Sequence, residues 1–359
     1  MPPRYKIAYR QNHAENAIFA CKKPSMSKNN ILLLFVVSVL AFACKKDASE
    51  GSGSEAAAVQ EVPVPAFNRD SAYAFVEQQV AFGPRVPGSE AHQACREWLV
   101  GKFQSYGAEV IEQHFQAKTY YGATLPATNI IAQFNPRASK RILLAAHWDS
   151  RHTADSPLST ERKNDPILGA DDGGSGTAVL LEIARLLQQH PIDLGVDIIL
   201  FDAEDLGQSG TEDPNSITTW CLGAQHWARN IHTGNYKPRY GILLDMVGSA
   251  GAQFPIEGYS RQFAPQVVSM VWDLAKKMGY DNYFLPTVGG GITDDHYFVN
   301  TIARIPMIDI INRSPETETG FGAYWHTHDD NLDIIDRRTL KAVGQVVTAV
   351  VYRENNGTL

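Results

Sequence analysis

Cysteine is scarce in this chain: four in 359 residues, with only Cys95 and Cys221 beyond the first sixty. A fold stapled by several disulfides is therefore excluded, and whether these two pair is left open by the sequence. Basic residues form no block in the body, and 32 Lys and Arg face 39 Asp and Glu for a net charge of -7. That balance argues against a nucleic-acid surface, which would carry a Lys/Arg stripe. No self-similarity at a period of roughly 20–50 residues is visible, which argues against a solenoid or a propeller. The apolar run Ile31–Ala43 is too short to span a bilayer comfortably as a helix.

What is present divides into a leader and a body. Met26 opens MSKNN, the apolar run follows, and Ala41-Phe42-Ala43 precedes Cys44 and KKD. A positive start, a short apolar stretch and small residues at its end make a secretion signal. Translation is expected to start at Met26, and residues 1–43 to be leader. Cys44 resembles the lipidated Cys of a bacterial lipobox, with Phe42 looser than the usual pattern. The expectation is a protein exported from a bacterial cytoplasm, as a periplasmic or outer-membrane lipoprotein touching the membrane only through Cys44. Cleavage after Ala43 to give a free protein is the alternative. DASEGSGSEAAAVQE, 47–61, has nothing to bury and reads as part of a tether over 44–64. One domain is expected over 65–359.

In the body, helical and strand patterns alternate. Ser71–Val80, Ser89–Tyr106, Gly176–Gln189, Gln262–Met278 and Arg337–Tyr352 carry helical spacing, with Ser89 a cap for the second. Thr128–Phe134, Arg141–Ala146, Val196–Phe201, Gly241–Met246 and Ile305–Ile311 are apolar strands. Continuous apolar strands between helices predict an α/β fold: a mostly parallel central sheet with helices on both faces.

In such sheets the ligand crevice lies beyond the carboxyl ends of the strands. The unusual polar residues fall there. His147-Trp148-Asp149 follows RILLAA; Asp202, Glu204 and Asp205 follow VDIILF; Asp245 follows GILL. GADDGGSG (Gly169–Gly176), TDDH (Thr293–His296) and YWHTHDDN (Tyr324–Asn331) fill other loops. Crowded carboxylates repel one another and call for a cation. Imidazole and carboxylate donors suit zinc, with one acid left free to move protons. Two Asp and no following Lys argue against phosphate binding at GADDGGSG, and GGSGT does not match a nucleophile elbow.

HWDS, GADDGGSG, FDAED, LLDMVG, DDH and WHTHDDN together resemble, in order and spacing, the M28-type zinc aminopeptidases and their relatives, the glutaminyl-peptide cyclotransferases. The resemblance runs from about Phe67 to the C-terminus and implies the phosphorylase/hydrolase-like sandwich. Carried over by position, it implies Asp172, Asp205 and His326 as zinc ligands and Glu204 as proton shuttle. Asp245 and Asp294 would join Glu204 in an acid network. His147, Asp149 and Asp295 are candidates for a second metal or for supporting the first.

Two activities follow from that resemblance. A cyclotransferase turns an N-terminal glutamine of a peptide or protein into pyroglutamate and releases ammonia, with one Zn2+. An aminopeptidase hydrolyses the first peptide bond, with two. Trp325 directly before the ligand His and the Asp294-Asp295 pair resemble the cyclotransferases, and Trp325 is expected to wall the substrate pocket. Asp205 in place of Glu resembles bacterial members of that group. A non-catalytic binding lipoprotein is the third reading; it fits poorly, because no ligand or shuttle acid is lost.

Overall fold

The computed structural model describes residues 62–359. The signal, Cys44 and the tether up to 61 lie outside the described residues. The chain order is α1 (Arg69–Ala81), α2 (Glu90–Ser105), β1 (Glu109–Lys118), β2 (Thr124–Phe134), β3 (Arg141–His147), α3 (Gly174–Gln189), β4 (Gly195–Phe201) and α4 (Leu222–Arg229). It continues through β5 (Gly241–Asp245), β6 (Phe254–Ile256), α5 (Gly258–Phe263), α6 (Pro265–Lys277), β7 (Phe284–Val288), α7 (Asp295–Phe298), β8 (Met307–Ile311) and α8 (Arg337–Asn356).

Six strands form one sheet in the order β1-β2-β4-β3-β5-β8. The four strands β4, β3, β5 and β8 are parallel, while β1 and β2 join antiparallel at one edge. The sequence pattern misses β1 altogether. Its EVIEQHFQAK is mostly exposed or half-buried, as an edge strand with few apolar residues can be. The expected helix Gln262–Met278 is broken at Ala264-Pro265, because Pro has no N–H to continue α5 and instead starts α6.

Side-chain alternation along the strands builds two cores. Ile142, Leu144, Ile198, Leu200, Ile242 and Leu244 face one way, into a core shared with α1, α3, α6 and α8. Leu143, Ala145, Ile199, Phe201 and Leu243 face the other, against α4 and Phe298. Strands covered on both faces are largely apolar, and β3, β4 and β5 are buried at every residue, with the one mid-strand acid among them, Asp197 of β4, paired to Arg141 of β3 at 2.8 Å. α3 lies close on the sheet because Gly176 has no Cβ: one there would meet the carbonyl oxygen of Leu244 and, at 3.0 Å, the Cβ of Ala146. The chain leaves β3 to add β4 on one side and returns to add β5 on the other. This reversal opens a crevice at the carboxyl end of β3, where His147 stands.

Candidate active site

Three strands end at the crevice, and each delivers a titratable group. His147 closes β3, Glu204 and Asp205 follow β4, and Asp245 closes β5. The turn before α3 adds Asp172, the loop before α7 adds Asp294, and the segment after β8 adds His326. All are buried. The backbone is bent to present them: Ala203, Met246 and His326 have φ of 54°, 48° and 54°, a region that side chains rarely adopt. Such strain clusters where function over-determines geometry.

Asp172 lies between two imidazoles. His147 Nε2 is 3.0 Å from its Oδ1 and 3.3 Å from Asp245 Oδ1. His326 Nε2 is 3.7 Å from Asp172 Oδ2 and 3.1 Å from Asp205 Oδ1. Donor atoms of Asp172, Asp205 and His326 lie within 4.8 Å of one another, as do those of His147, Asp172 and Asp245. Asp205 Oδ2 is buried without a hydrogen-bond partner. An orphaned carboxylate oxygen beside one imidazole and a second carboxylate fits a zinc ion with a coordination position left over. The ligand set expected from the sequence is therefore brought together, and the His147 set adjoins it through Asp172.

Not every acid of the cluster faces the crevice. Asp202 turns away to His92 Nε2, at 2.9 Å, and to the N–H groups of Thr128 and Ala203. Asp149 accepts from the backbone N–H of both Glu204 and Asp205 at 3.2 Å, so it aims the acidic loop. Asp330 does the same for the GADD turn, accepting from Asp171 and Asp172 N–H at 2.7 and 3.1 Å. Asp330 stands in the WHTHDDN motif, but its direction cannot be read from sequence. Asp171 is tied to Tyr324 and to the N–H of Gly248.

Glu204 sits beside Cys221 and Asp294, their polar atoms within 4.8 Å, and the Cys221 thiol donates to its Oε1 at 3.2 Å. Sequence reasoning missed Cys221, because a lone buried thiol carries no pattern. In the metal-free protein burial pushes the Glu204 carboxyl well above the usual range; His147 opposes this, and Asp205, Asp294 and Asp295 add to it. Asp245 is pushed up to about 8, mainly by burial, against its bond to His147 and with Asp294 and Asp172 adding to the rise. Asp294 keeps one buried oxygen without a partner and Asp295 keeps two. Asp309, within a strand that read as apolar, lies close to Asp294 and His296, with both of its oxygens buried and without a hydrogen-bond partner.

Above these groups is a cavity of about 300 Å³. Its floor holds Asp172, Glu204, Asp205, Asp245, Asp294 and His326; its walls are Ile217, Trp220, Ile292, Phe321 and Trp325. The Trp325 ring stacks on His326 at 3.6 Å and lies tilted by 30° against Phe321 at 4.9 Å, so it forms wall and ligand support at once.

Comparison with known proteins agrees with this geometry. Residues 129–351 match the family described as Peptidase family M28. The crystal structure of Bacteroides thetaiotaomicron glutaminyl cyclase bound to N-acetylhistamine is 50% identical, covers 81% of this chain and 99% of that one, and superposes with a TM-score of 0.78. Bos taurus glutaminyl-peptide cyclotransferase is 26% identical over 297 residues, 74% of this chain and 77% of the bovine one. Aminopeptidase YwaD of Bacillus subtilis (strain 168) is 32% identical over 232 residues, 62% of this chain, which spans only 44% of that protein's length. The family match covers more than half of the sequence and every residue of the zinc-fitting set: the chain belongs to peptidase family M28.

Proposed function

We propose that this protein is a zinc-dependent glutaminyl-peptide cyclotransferase, acting on peptides or proteins with N-terminal glutamine. The observation that carries this reading is the small aromatic cavity set directly on the acid floor. It offers room for one side chain folded back on its own α-amine, and a 50% identical glutaminyl cyclase shares the fold over nearly its whole length.

Asp172, Asp205 and His326 would hold the zinc. When bound, zinc supplies a Lewis acid for the glutamine side-chain carbonyl. The chain's own residues do the rest. Trp325, Trp220 and Phe321 hold the substrate compact, so that the α-amine meets the side-chain carbon as an intramolecular nucleophile. A carbon–nitrogen bond forms to the α-amine and the bond to the side-chain nitrogen breaks. Glu204, held at high proton affinity by its burial and, beyond that, by its acidic neighbours, takes the proton from the amine and hands it to the departing ammonia. Asp294 and Asp245 keep that proton within the cluster.

The aminopeptidase reading has one observation in its favour: the His147, Asp172 and Asp245 donors form a second compact set, which a second ion would need. The two activities separate in one assay. Incubated with a Gln-initiated peptide, the protein is expected to lower the peptide's mass by that of ammonia. Loss of the whole first residue would establish the peptidase instead. Anchoring through Cys44 belongs to the same proposal and is supported by the sequence pattern alone.

A further inference from the structure

Arg151 is fully buried behind the site, and its guanidinium is divided between the zinc-facing Asp205 and Asp155, which stands behind the zinc-facing His326. Nη1 donates to the Asp205 main-chain carbonyl at 2.9 Å and lies 3.4 Å from its Oδ1. Nε and Nη2 grip the Asp155 carboxylate at 3.0 and 2.6 Å. Asp155 in turn places Oδ1 3.1 Å from His326 Nδ1, while its Oδ2 also accepts from the Ser209 hydroxyl. The Trp220 ring lies over the guanidinium, 4.7 Å from centroid to carbon, and shields it from water.

The chemistry of these contacts is directional. An ionised carboxylate only accepts, so His326 must carry its proton on Nδ1 and keep the Nε2 lone pair for the metal. The main chain agrees: the Ser156 N–H donates to the His326 carbonyl at 3.2 Å, which ties the loop bearing Asp155 to the strained backbone at His326. One planar guanidinium thus sets the Asp205 position directly and the His326 ring orientation through Asp155. An ammonium could not supply both edges of that fork.

We infer that Arg151 and Asp155 are positioning residues for the metal: Asp155 fixes the tautomer and rotation of His326, and Arg151 locks Asp155 and Asp205 to each other. This rests on the zinc assignment proposed above. Partners of this kind behind metal ligands are worth roughly 10- to 100-fold in metal affinity.

The test is zinc titration of the full chain against a chelator of known affinity, with urea unfolding of the metal-stripped protein measured alongside. Removing the buried Arg151 would probe folding as much as zinc, so Asp155, whose side chain is 27% exposed, carries the experiment. Asp155→Ala is expected to weaken zinc about 10- to 100-fold and Asp155→Glu to recover part of that; the metal-free unfolding midpoint falls too, because the buried Arg151 loses its partner, but by less than the loss of zinc affinity. Nitrogen NMR of the wild-type imidazoles should show His326 protonated at Nδ1. Zinc affinity within about 2-fold of wild type in Asp155→Ala would overturn the inference. So would a loss of affinity fully matched by lost metal-free stability. If His326→Ala binds zinc as tightly as wild type, the ligand assignment itself fails, and this inference falls with it.

Discussion

Asp172 presents one carboxylate oxygen 3.0 Å from His147 Nε2 and the other 3.7 Å from His326 Nε2. One side chain thus belongs to both metal-fitting sets, and its two neighbours decide how many ions the protein keeps. The purified protein is expected to hold about one zinc per chain by elemental analysis. His326→Ala should lose it, while His147→Ala should retain it. About two zinc per chain, halved by His147→Ala, would move the function to the peptidase side.

Glu204 is argued to move protons rather than bind metal, so Glu204→Gln keeps shape and removes only the titrating group. Turnover on a Gln-initiated peptide should fall about 10²- to 10⁴-fold, the usual worth of a positioned acid–base group. Zinc content should not change. Turnover close to wild type would remove Glu204 from the mechanism.

Glu257, away from the zinc-fitting set, makes stability depend on pH. Burial alone would raise its carboxyl, but the bond to His296 at 2.9 Å, the charge of that imidazole, and the N–H groups of Ser260 and Tyr259 bring it down to about 2. In the unfolded chain it returns to its ordinary value of 4.5. Below that value the unfolded chain takes up a proton that the folded one refuses, so the stabilisation is present above about pH 5 and drains away as pH falls toward 2. Glu257→Gln should therefore flatten the acid limb of a urea-midpoint series by about 3 kcal/mol. An acid limb identical to wild type would refute the assignment.

Gly176 is expected to tolerate no side chain. Gly176→Ala would push the start of α3 off Leu244 and Ala146 at a cost of about 1–3 kcal/mol, read as a lower urea midpoint. Because this turn also carries Asp172, zinc affinity should fall in the same variant. An unchanged midpoint would mean that helix and sheet pack more loosely than described.

Much of this was open to reading from the sequence, for a physical reason. The strands β3, β4, β5 and β8 are buried on both faces and had to be largely apolar, and acids placed at their ends stood out against them. The loops that carry Asp172, Asp205 and His326 stood out in that way, and the family resemblance named those three residues, whose donor atoms the fold brings together. The edge strand β1 was hidden because it is largely solvated and needs no apolar signature. Asp149 and Asp330 show a different limit. They look identical in sequence to metal-facing acids, yet they spend their oxygens on backbone N–H groups, and only the fold separates clamp from ligand. Asp309 was invisible because its strand pattern is otherwise wholly apolar.

Cys95 and Cys221, the two cysteines among the described residues, are both buried and unpaired. Maturation of this domain therefore asks no oxidant of its compartment, and reducing agents should leave it intact. The same burial turns each sulfur into a built-in stopwatch. An alkylating reagent can reach Cys221 only when the wall around Glu204 opens, so its labelling rate would count the breathing of the catalytic floor, one opening at a time.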